Sequence, residues 1–328
     1  GGGVSLSSLA GNVAKCGGIG TISGVHPGYR EADFKENPFR ANLRAIGNEL
    51  EKAKEIANGG IIGFNFMTVM NHYEEYVKEA IAAGADFIVS GAGLPVNLAK
   101  YAAGTRAAIL PIVSSARALK LIVKQWQRAD RLPDAVVVEG PLAGGHLGYP
   151  YGHLVDGTFD TLEDSLVDVV DYVRELEEKN GVIIPVIAGG GVRSHADMER
   201  LMALGASGVQ VGTKFVATEE CDAAPAFKQA YLRSRKEDVQ LIESPVGLAA
   251  RAIRNSFLEK VEKQGRIPVQ RCYQCMNHCK QAETKYCISQ ALIDAVQGRE
   301  GLVFCGANAY EIEKLSTVEK VMQELCGE

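Results

Sequence analysis

The sequence lacks several features that would place the protein outside the ordinary globular enzymes. No apolar run approaches the roughly 20 residues needed to cross a bilayer, and no basic, apolar-cored signal segment opens the chain. Basic charge is not in excess, because 35 Lys and Arg stand against 40 Asp and Glu for a net charge of −5. Nucleic-acid binding calls for a basic surface. We therefore expect a cytoplasmic protein with neither a membrane nor a nucleic-acid partner.

A dinucleotide-binding fingerprint is also missing. The run from Gly18 to Gly24 reads G-x-G-x-x-x-G, which misses the spacing of the G-x-G-x-x-G motif. The later run from Gly189 to Ser194, GGGVRS, lacks the third glycine of that motif. We therefore do not expect a nicotinamide dinucleotide as the tightly bound cofactor.

The chain does contain a repeated unit of a short apolar run, a Gly-containing turn and an amphipathic stretch. Apolar, β-branched runs are typical of strands buried on both faces of a parallel sheet, and their alternation with helical patterns indicates an α/β protein. The predicted strands are Gly18–Ile22, Ile61–Phe66, Phe87–Ser90, Ala108–Val113, Ala135–Glu139, Ile184–Ala188 and Gly208–Val211. The predicted helices among them include Leu6–Ala14, Tyr73–Ala83, Ala116–Arg128, Leu162–Glu178 and Ala196–Leu204.

This rhythm predicts a (β/α)8 TIM-type barrel over residues 1–217 and a mainly helical, Cys-rich C-terminal appendage over residues 218–328. A closed barrel has eight strands, whereas the sequence offers seven. We expect the first strand to be missing from this chain, or altered, because Gly1-Gly2-Gly3 leads directly into a helical pattern. An open doubly wound sheet is the alternative. The appendage helices are predicted at Ala224–Arg235, Val246–Lys263, near Ile288–Val296 and around Ser316–Leu325.

The segment with the strongest chemical signal is EGPLAGGHLG, from Glu139 to Gly148. It follows a predicted strand, where barrel enzymes place their active sites. The two glycines let the backbone approach a planar ligand closely, and they hold His146 on a short loop. Because imidazole is the side chain best matched to proton transfer near neutral pH, we predict that His146 is the catalytic residue. His26, His72 and His195 have no partner motif, so we interpret them as structural.

EGPLAGGHLG resembles the Gly-Gly-His signature shared by the nitronate monooxygenases and the flavin-type enoyl-ACP reductases. Further segments resemble this superfamily in the same order along roughly residues 5–255. They are GFNFM (Gly63–Met67), SGAGLP (Ser90–Pro95), PVIAGGGV (Pro185–Val192), GVQVGTKF (Gly208–Phe215) and GLAARAIRN (Gly247–Asn255). Leu142 departs from the pattern, because many relatives carry Glu there. The resemblance does not cover residues 265–328.

The resemblance implies FMN as the tightly bound cofactor. Independently, Gly-rich loops follow the last two predicted strands, where such barrels build phosphate sites from backbone N–H groups and a helix N-terminus. We expect Gly190, Gly191, Gly212 and Thr213 to hold the phosphate. The resemblance implies that Asn65 and Glu139, which lie at strand ends, contact the flavin ring or the ribityl chain. The full predicted cofactor set is Asn65, Glu139, Gly144, Gly145, Gly189, Gly190, Gly191, Gln210, Gly212 and Thr213.

The function that the resemblance implies is oxidation of alkyl nitronates by O2 to a carbonyl compound and nitrite. His146 would take the α-proton of a nitroalkane or position the nitronate. The first alternative is an enoyl-ACP reductase, in which NAD(P)H reduces FMN and an enoyl thioester is the substrate. The second is a non-catalytic flavin-binding scaffold. A homodimer is compatible with each of them.

Five of the eight cysteines lie between Cys272 and Cys305, which indicates a local feature rather than a chain-wide disulfide framework. Four of them follow the pattern C-x2-C-x3-C-x7-C: Cys272, Cys275, Cys279 and Cys287. Such spacing supplies thiolates to Zn²⁺ or to an iron–sulfur cluster. The alternative is a set of reduced thiols that pack a small helical lid. The sequence leaves the metal unknown.

Overall fold

The computed structural model describes residues 2–276 and 279–327. Its strands are β1 (Ile19–Ser23), β2 (Ile61–Met67), β3 (Phe87–Gly91), β4 (Ala108–Val113), β5 (Val136–Glu139), β6 (Gly145–His146), β7 (Val186–Gly189), β8 (Gly208–Gln210), β9 (Val239–Glu243) and β10 (Ala249–Ile253). Seven of them form one parallel sheet in the order β1-β2-β3-β4-β5-β7-β8. All seven predicted strands are therefore confirmed, with ends shifted by no more than two residues.

Helices connect and flank these strands. They are α1 (Ser7–Lys15), α2 (Pro38–Ala57), α3 (Tyr73–Ala82), α4 (Leu98–Tyr101), α5 (Ala116–Trp126), α6 (Tyr151–Asp156), α7 (Leu162–Asn180), α8 (His195–Ala203), α9 (Thr213–Val216), α10 (Pro225–Arg233), α11 (Ser256–Gln264), α12 (Ile288–Val296) and α13 (Val318–Cys326). Three short 3-10 turns lie at Gln127–Ala129, Lys236–Asp238 and Ala309–Glu311. None of the described helices combines the length and the apolar character needed to cross a membrane.

The local sequence explains where helices begin and end. In α7, Thr161 and Asp164 form a reciprocal capping box at the first turn, and Gly181 ends the helix in the left-handed conformation. In α5, Leu119, Ile122, Val123 and Trp126 recur at helical spacing and are all buried. The curled sheet and its helices bury one large hydrophobic cluster, and three smaller clusters accompany it among the described residues.

The sheet differs from the predicted barrel in one respect. Its edge strands are β1 and β8, and residues 2–276 and 279–327 contain no eighth strand that pairs with both. The structure supports a curled, TIM-like α/β half-barrel rather than a closed barrel. The seven strand ends of this half-barrel still point to one edge, and that edge positions the candidate site.

The prediction of a helix over Val246–Lys263 is wrong. The segment contains strand β10 followed by helix α11. Its Ala-rich sequence favours a helix locally, but β10 pairs antiparallel with β9 on one side and β6 on the other, and all five of its residues are buried. Tertiary pairing overrides local propensity here. A mainly helical appendage is therefore not confirmed, because β9 and β10 belong to that segment.

The second sheet, in the order β6-β10-β9, joins the two parts of the chain. Ala250 of β10 pairs with His146, and Arg251 pairs with Gly145. The loop after β5 thus leaves the parallel sheet and becomes the edge strand of the small antiparallel sheet. This pairing fixes the backbone of the predicted catalytic histidine.

Candidate active site

Three of the predicted cofactor residues form a row at the carboxyl edge of the parallel sheet. Glu139 ends β5 and pairs with Gly189, which ends β7, and Gly189 pairs in turn with Gln210 at the end of β8. The N–H of Gly140 donates to the carbonyl oxygen of Gly189 at 2.8 Å. The carboxyl ends of adjacent parallel strands are where α/β enzymes bind ligands.

The glycines that follow β7 need their special backbone freedom. Gly190 and Gly191 have φ angles of +102° and +94°, which residues with a side chain rarely adopt. A Cβ on Gly190 would lie 3.0 Å from the carbonyl oxygen of Gly140, and a Cβ on Gly191 would lie 3.1 Å from the Leu142 side chain. The loop after β5 therefore packs directly on the loop after β7.

Free backbone donors are concentrated at these loops. Within residues 2–276 and 279–327, the N–H groups of Gly190, Gly191, Gly212 and Thr213 have no hydrogen-bond acceptor. The space around the Cα of Gly212 is open, since an added Cβ there would meet nothing within 4 Å. Several unpaired N–H groups at one edge form a site that suits an anion.

The loop from Gly140 to Gly144 is held in place by the C-terminal part of the chain. Arg251, which is buried, donates from Nη1 to the carbonyl oxygens of Pro141, at 3.0 Å, and of Ala143. The N–H of Ala307 donates to the carbonyl oxygen of Leu142 at 3.1 Å. Gly144 lies so close to the backbone of Cys305 that a Cβ would be 2.6 Å from its carbonyl carbon. Distant parts of the sequence thus determine the shape of the predicted active-site loop.

His146 is partly buried beside two side chains that the sequence analysis did not find. Its Nε2 lies 2.7 Å from the Oγ of Ser244, and its ring meets the Phe304 ring edge-to-face with centroids 5.0 Å apart. Burial lowers the pKa of His146 from 6.5 to about 4. The imidazole is therefore neutral at physiological pH, with its orientation restricted by Ser244 and Phe304.

The pKa of Glu139 is shifted in the opposite direction, upward. Burial raises the pKa of its carboxyl group to about 7, although a hydrogen bond from the Gly148 backbone favours the ionised form. The Tyr149 hydroxyl donates to the carbonyl oxygen of Glu139 at 3.1 Å. A carboxylic acid that keeps its proton up to neutral pH and a neutral histidine therefore lie seven residues apart on one loop. Perturbed groups of this kind cluster at functional sites.

His146 lines a small enclosed pocket of about 50 Å³. Three methionines contribute to its wall: Met67, Met70 and Met276. His26 also lines this pocket, and among the described residues its Nδ1 is buried without a hydrogen-bond partner. Burial lowers the pKa of His26 to about 4. Because methionine side chains are flexible, this pocket can widen around a small, largely apolar molecule.

The structure brings some predicted residues together and separates others. Gly144 and Gly145 lie on the loop and edge strand that lead to His146. Thr213 opens α9, and its hydroxyl lies against the backbone of Gly306. Asn65 lies on β2, three strands away from β5 in the sheet, and its carbonyl oxygen accepts from Gly24 N–H at 2.8 Å. Asn65 therefore does not lie beside Glu139 in the sheet, and its contact with the flavin stays a prediction.

The residues that sequence reasoning missed are Ser244, Arg251 and Phe304. Ser244 and Arg251 are separated from His146 by about a hundred residues in the chain, and Phe304 by more. Arg251 lies inside GLAARAIRN, which was a recognisable segment without an assigned role. Ser244 and Phe304 belong to no motif, so only the pairing of β6 with β10 reveals their position.

The four patterned cysteines are all free thiols, and they line one pocket of about 200 Å³. Among residues 2–276 and 279–327, no three His, Cys, Asp or Glu side chains converge closely enough to hold a metal ion as they stand. This pocket shares six lining residues with the pocket beside His146: Asn71, Tyr273, Gln274, Cys275, Met276 and Ile288.

Comparison with known proteins identifies the family to which this chain belongs. The family model described as nitronate monooxygenase matches residues 1–328. The chain belongs to the nitronate monooxygenase family. The family is one of oxidoreductases, and nitronate monooxygenases and their structural relatives depend on flavin in general.

Two curated relatives within this family show how far the sequence similarity extends. A probable nitronate monooxygenase of Staphylococcus haemolyticus is 35% identical over 136 residues, which cover 41% of this chain and 36% of the relative. One from Staphylococcus aureus strain Newman is 34% identical over 140 residues, with 41% of this chain and 36% of the relative covered. The chain thus matches about a third of the length of these relatives.

Solved structures share the fold of this nitronate monooxygenase family member. FabK from Thermotoga maritima has a TM-score of 0.73 and 23% identity, with 100% of this chain and 89% of that chain covered. A nitroalkane oxidase from Streptomyces ansochromogenes has a TM-score of 0.69 and 20% identity, with 100% and 93% covered. At these identities the similarity supports the fold alone.

The carboxyl edge fits a flavin phosphate. Four unpaired N–H groups at Gly190, Gly191, Gly212 and Thr213 are suitable donors to a phosphate, and the open space at Gly212 leaves room for one. The pocket beside His146 is a separate space of about 50 Å³.

Proposed function

We propose that this protein is an FMN-dependent oxidoreductase that oxidises small alkyl nitronates with O2 to a carbonyl compound and nitrite. The observation that carries the proposal is a neutral, oriented imidazole, His146, that faces a pocket walled by methionines. Membership of the nitronate monooxygenase family supports the same reaction class.

The cofactor-binding residues of the proposal are those at the carboxyl edge. The N–H groups of Gly190, Gly191, Gly212 and Thr213 would hold the FMN phosphate, and Glu139, Gly189 and Gln210 lie along the same edge. Bound FMN would relay electrons from the nitronate to O2, and the overall reaction balances without an added reductant, because two nitronate ions and one O2 give two carbonyl molecules and two nitrite ions. The C=N bond of the nitronate is replaced by C=O, and nitrite is released.

His146 is the proposed base. A neutral imidazole can accept the α-proton of a nitroalkane, and it then carries a positive charge next to the anionic nitronate that forms. If Nε2 keeps its hydrogen and donates to Ser244, Nδ1 is the atom that accepts the proton. Phe304 restricts the plane of the ring.

The Met67, Met70 and Met276 side chains give the pocket its proposed specificity. They offer apolar contact to the alkyl part of a substrate and no hydrogen-bond donor. We infer a preference for short, unbranched alkyl chains, because the enclosed space is small. Replacing Met70 by Ala would enlarge it and shift the preference toward longer chains.

One experiment tests the reaction. The purified protein is examined for the visible spectrum of a flavin, and nitrite is measured after addition of a small nitronate with and without O2. The proposal requires O2-dependent nitrite release. Bleaching of the flavin by NADH under anaerobic conditions, with reduction of an enoyl thioester and no nitrite, would instead identify an enoyl reductase.

A further inference from the structure

The four cysteines of the C-x2-C-x3-C-x7-C segment form a cluster outside the proposed reaction site. Cys272, Cys275, Cys279 and Cys287 all line the same pocket of about 200 Å³. The fold therefore brings four soft, metal-ligating side chains into one place.

A hydrogen-bond donor already points at one sulfur atom of the cluster. The N–H of Gln274 donates to the Sγ of Cys272 at 3.3 Å, across a turn in which Gln274 has a φ of +50°. Thiolate ligands are regularly supported by donors of this kind.

The charge of the segment fits a thiolate centre. Residues 266–287 contain four basic side chains, Arg266, Arg271, Lys280 and Lys285, and one acidic side chain, Glu283. Four thiolates with one divalent metal, or with an iron–sulfur cluster, form a unit with net negative charge. Basic residues on the same segment favour that charge, although the whole chain has a net charge of −5.

We propose that Cys272, Cys275, Cys279 and Cys287 bind a thiolate-ligated metal centre, either a tetrahedral Zn²⁺ or an iron–sulfur cluster. The sulfur atoms share the pocket without meeting at one coordination point, so binding draws them together by side-chain rotation and small backbone shifts. The described residues from Arg266 to Tyr286 contain no helix or sheet strand, and a single bridge joins Met276 to Met70. The backbone there can adjust at low cost.

The centre would adjoin the pocket of His146. The N–H of Asn71 donates to the carbonyl oxygen of Cys275 at 3.0 Å, and the Asn71 side chain donates to the carbonyl oxygen of Gln274. His26 Nε2, in the same pocket, lies 2.6 Å from the Oγ of Ser289, two residues after Cys287. The metal centre would thus fix the wall that contains Cys275 and Met276, next to the substrate pocket.

Metal content tests the proposal without reference to turnover. The full-length protein is purified anaerobically, and its Zn and Fe are measured by mass spectrometry together with its visible and electron paramagnetic resonance spectra. About one Zn per chain, or several Fe with sulfide and a cluster spectrum, supports the proposal. Absence of both metals, even after incubation with Zn²⁺ or with iron and sulfide, overturns it, whether the thiols are free or joined in disulfides.

Variants locate the metal. Cys279→Ser and Cys287→Ser should each lose most of the bound metal, whereas Cys326→Ser, which alters an exposed cysteine outside the pocket, should keep it. If the ligand variants fail to fold, alkylation of the wild-type holoprotein replaces them. The four pocket cysteines should then be protected from iodoacetamide until an organomercurial releases the metal, while Cys326 reacts at once. Metal retention in both ligand variants, or equal labelling of all five thiols, contradicts the proposal.

Discussion

The Nε2 atom of His146 lies 2.7 Å from the Oγ of Ser244, although the two residues are 98 positions apart in the sequence. The contact exists because His146 ends a loop that pairs with β10, while Ser244 directly follows β9 on the other side of β10. The Ser244 Oγ also accepts from the N–H of Val246 at 3.4 Å. The hydrogen bond to Val246 holds the Ser244 hydroxyl in place independently of His146. The hydroxyl therefore restricts which ring nitrogen of His146 faces the pocket.

The His146→Ala variant tests the proposed base. We expect folding and FMN retention to be nearly unchanged and turnover of a neutral nitroalkane to fall by about 10²-fold or more, the usual scale for a lost general base. With a nitronate that is already ionised the loss should be smaller, because the proton has left before binding. Steady-state nitrite release with both substrates measures this. Equal losses would mean that His146 orients the substrate and does not remove the proton.

Ser244→Ala tests positioning of the ring. Loss of one hydrogen bond of about 1 kcal/mol should lower kcat by roughly five-fold with little change in KM, and Ser244→Thr, which keeps a hydroxyl, should recover most of it. Nitrogen NMR of the histidine side chains should show a changed tautomer balance for His146. The matched control is Ser234→Ala, which removes a serine hydroxyl bonded to Tyr231 away from the site. An unchanged His146 signal would contradict the positioning role.

The position of the candidate loop was predictable from the sequence because its residues are local. Glu139, the two glycines and His146 lie within one short run after an apolar strand, and strand ends meet at one edge in any parallel sheet. Ser244, Arg251 and Phe304 were not predictable, because they reach His146 through antiparallel pairing of segments that carry no polar motif. Local patterns do not specify non-local strand partners.

The same distinction explains the fold. All five residues of β3 are buried. Parallel strands of this kind have nearly continuous apolar sequences, so their positions can be predicted from the sequence. β10 has the sequence AARAI, and alanine favours helices, so its strand structure depends entirely on its neighbours β6 and β9. Closure of a barrel also depends on pairing between strands that are far apart in the sequence. The periodicity of apolar residues does not indicate such pairing.

Gly191→Asp tests the proposed phosphate site. The new carboxylate would repel the phosphate and lie against Leu142, so we expect loss of FMN from the purified protein. Gly191→Ala separates steric from electrostatic effects and should weaken FMN binding less. Gly181→Asp is the control, since Gly181 also has a positive φ but ends α7 with open space around it. Flavin absorbance and a titration of apoprotein with FMN are the measurements. Full FMN retention in Gly191→Asp would exclude this site.

Glu139→Gln tests the raised pKa of the carboxyl group. The folded protein holds this proton up to about pH 7, whereas the unfolded chain releases it near the ordinary value of 4.5. The stabilisation is therefore complete below pH 4.5 and is lost as the pH rises through 7. Gln mimics the protonated acid at every pH. Between pH 5 and pH 8, the stability of Glu139→Gln should rise relative to wild type by about 1–3 kcal/mol, measured by urea unfolding. A pH-independent difference would contradict the shift.

Arg251→Met tests whether a buried cation shapes the catalytic loop. Arg251 has no acidic partner among the described residues, and burial lowers its pKa. Its guanidinium donates hydrogen bonds to the carbonyl oxygens of Pro141 and Ala143. The nearby Cys305 thiol is neutral, because burial raises its pKa to about 12. Methionine relieves the desolvation of the charge but leaves both carbonyl groups without this donor. We expect a loss of about 1–3 kcal/mol of stability and a fall in kcat of about ten-fold or more, since the Gly-Gly-His segment loses its anchor.

The control for Arg251 is Arg254→Met, three residues away in the same segment. Arg254 is exposed and pairs with Glu259 and Glu262, and exposed ion pairs contribute roughly 0–1 kcal/mol. It should therefore change neither stability nor kcat appreciably. Limited proteolysis gives an independent measurement, because a loosened loop between Gly140 and His146 should be cleaved faster in Arg251→Met than in wild type or in Arg254→Met. If Arg251→Met lost stability while kcat and proteolysis stayed at wild-type values, Arg251 would support the core without positioning His146.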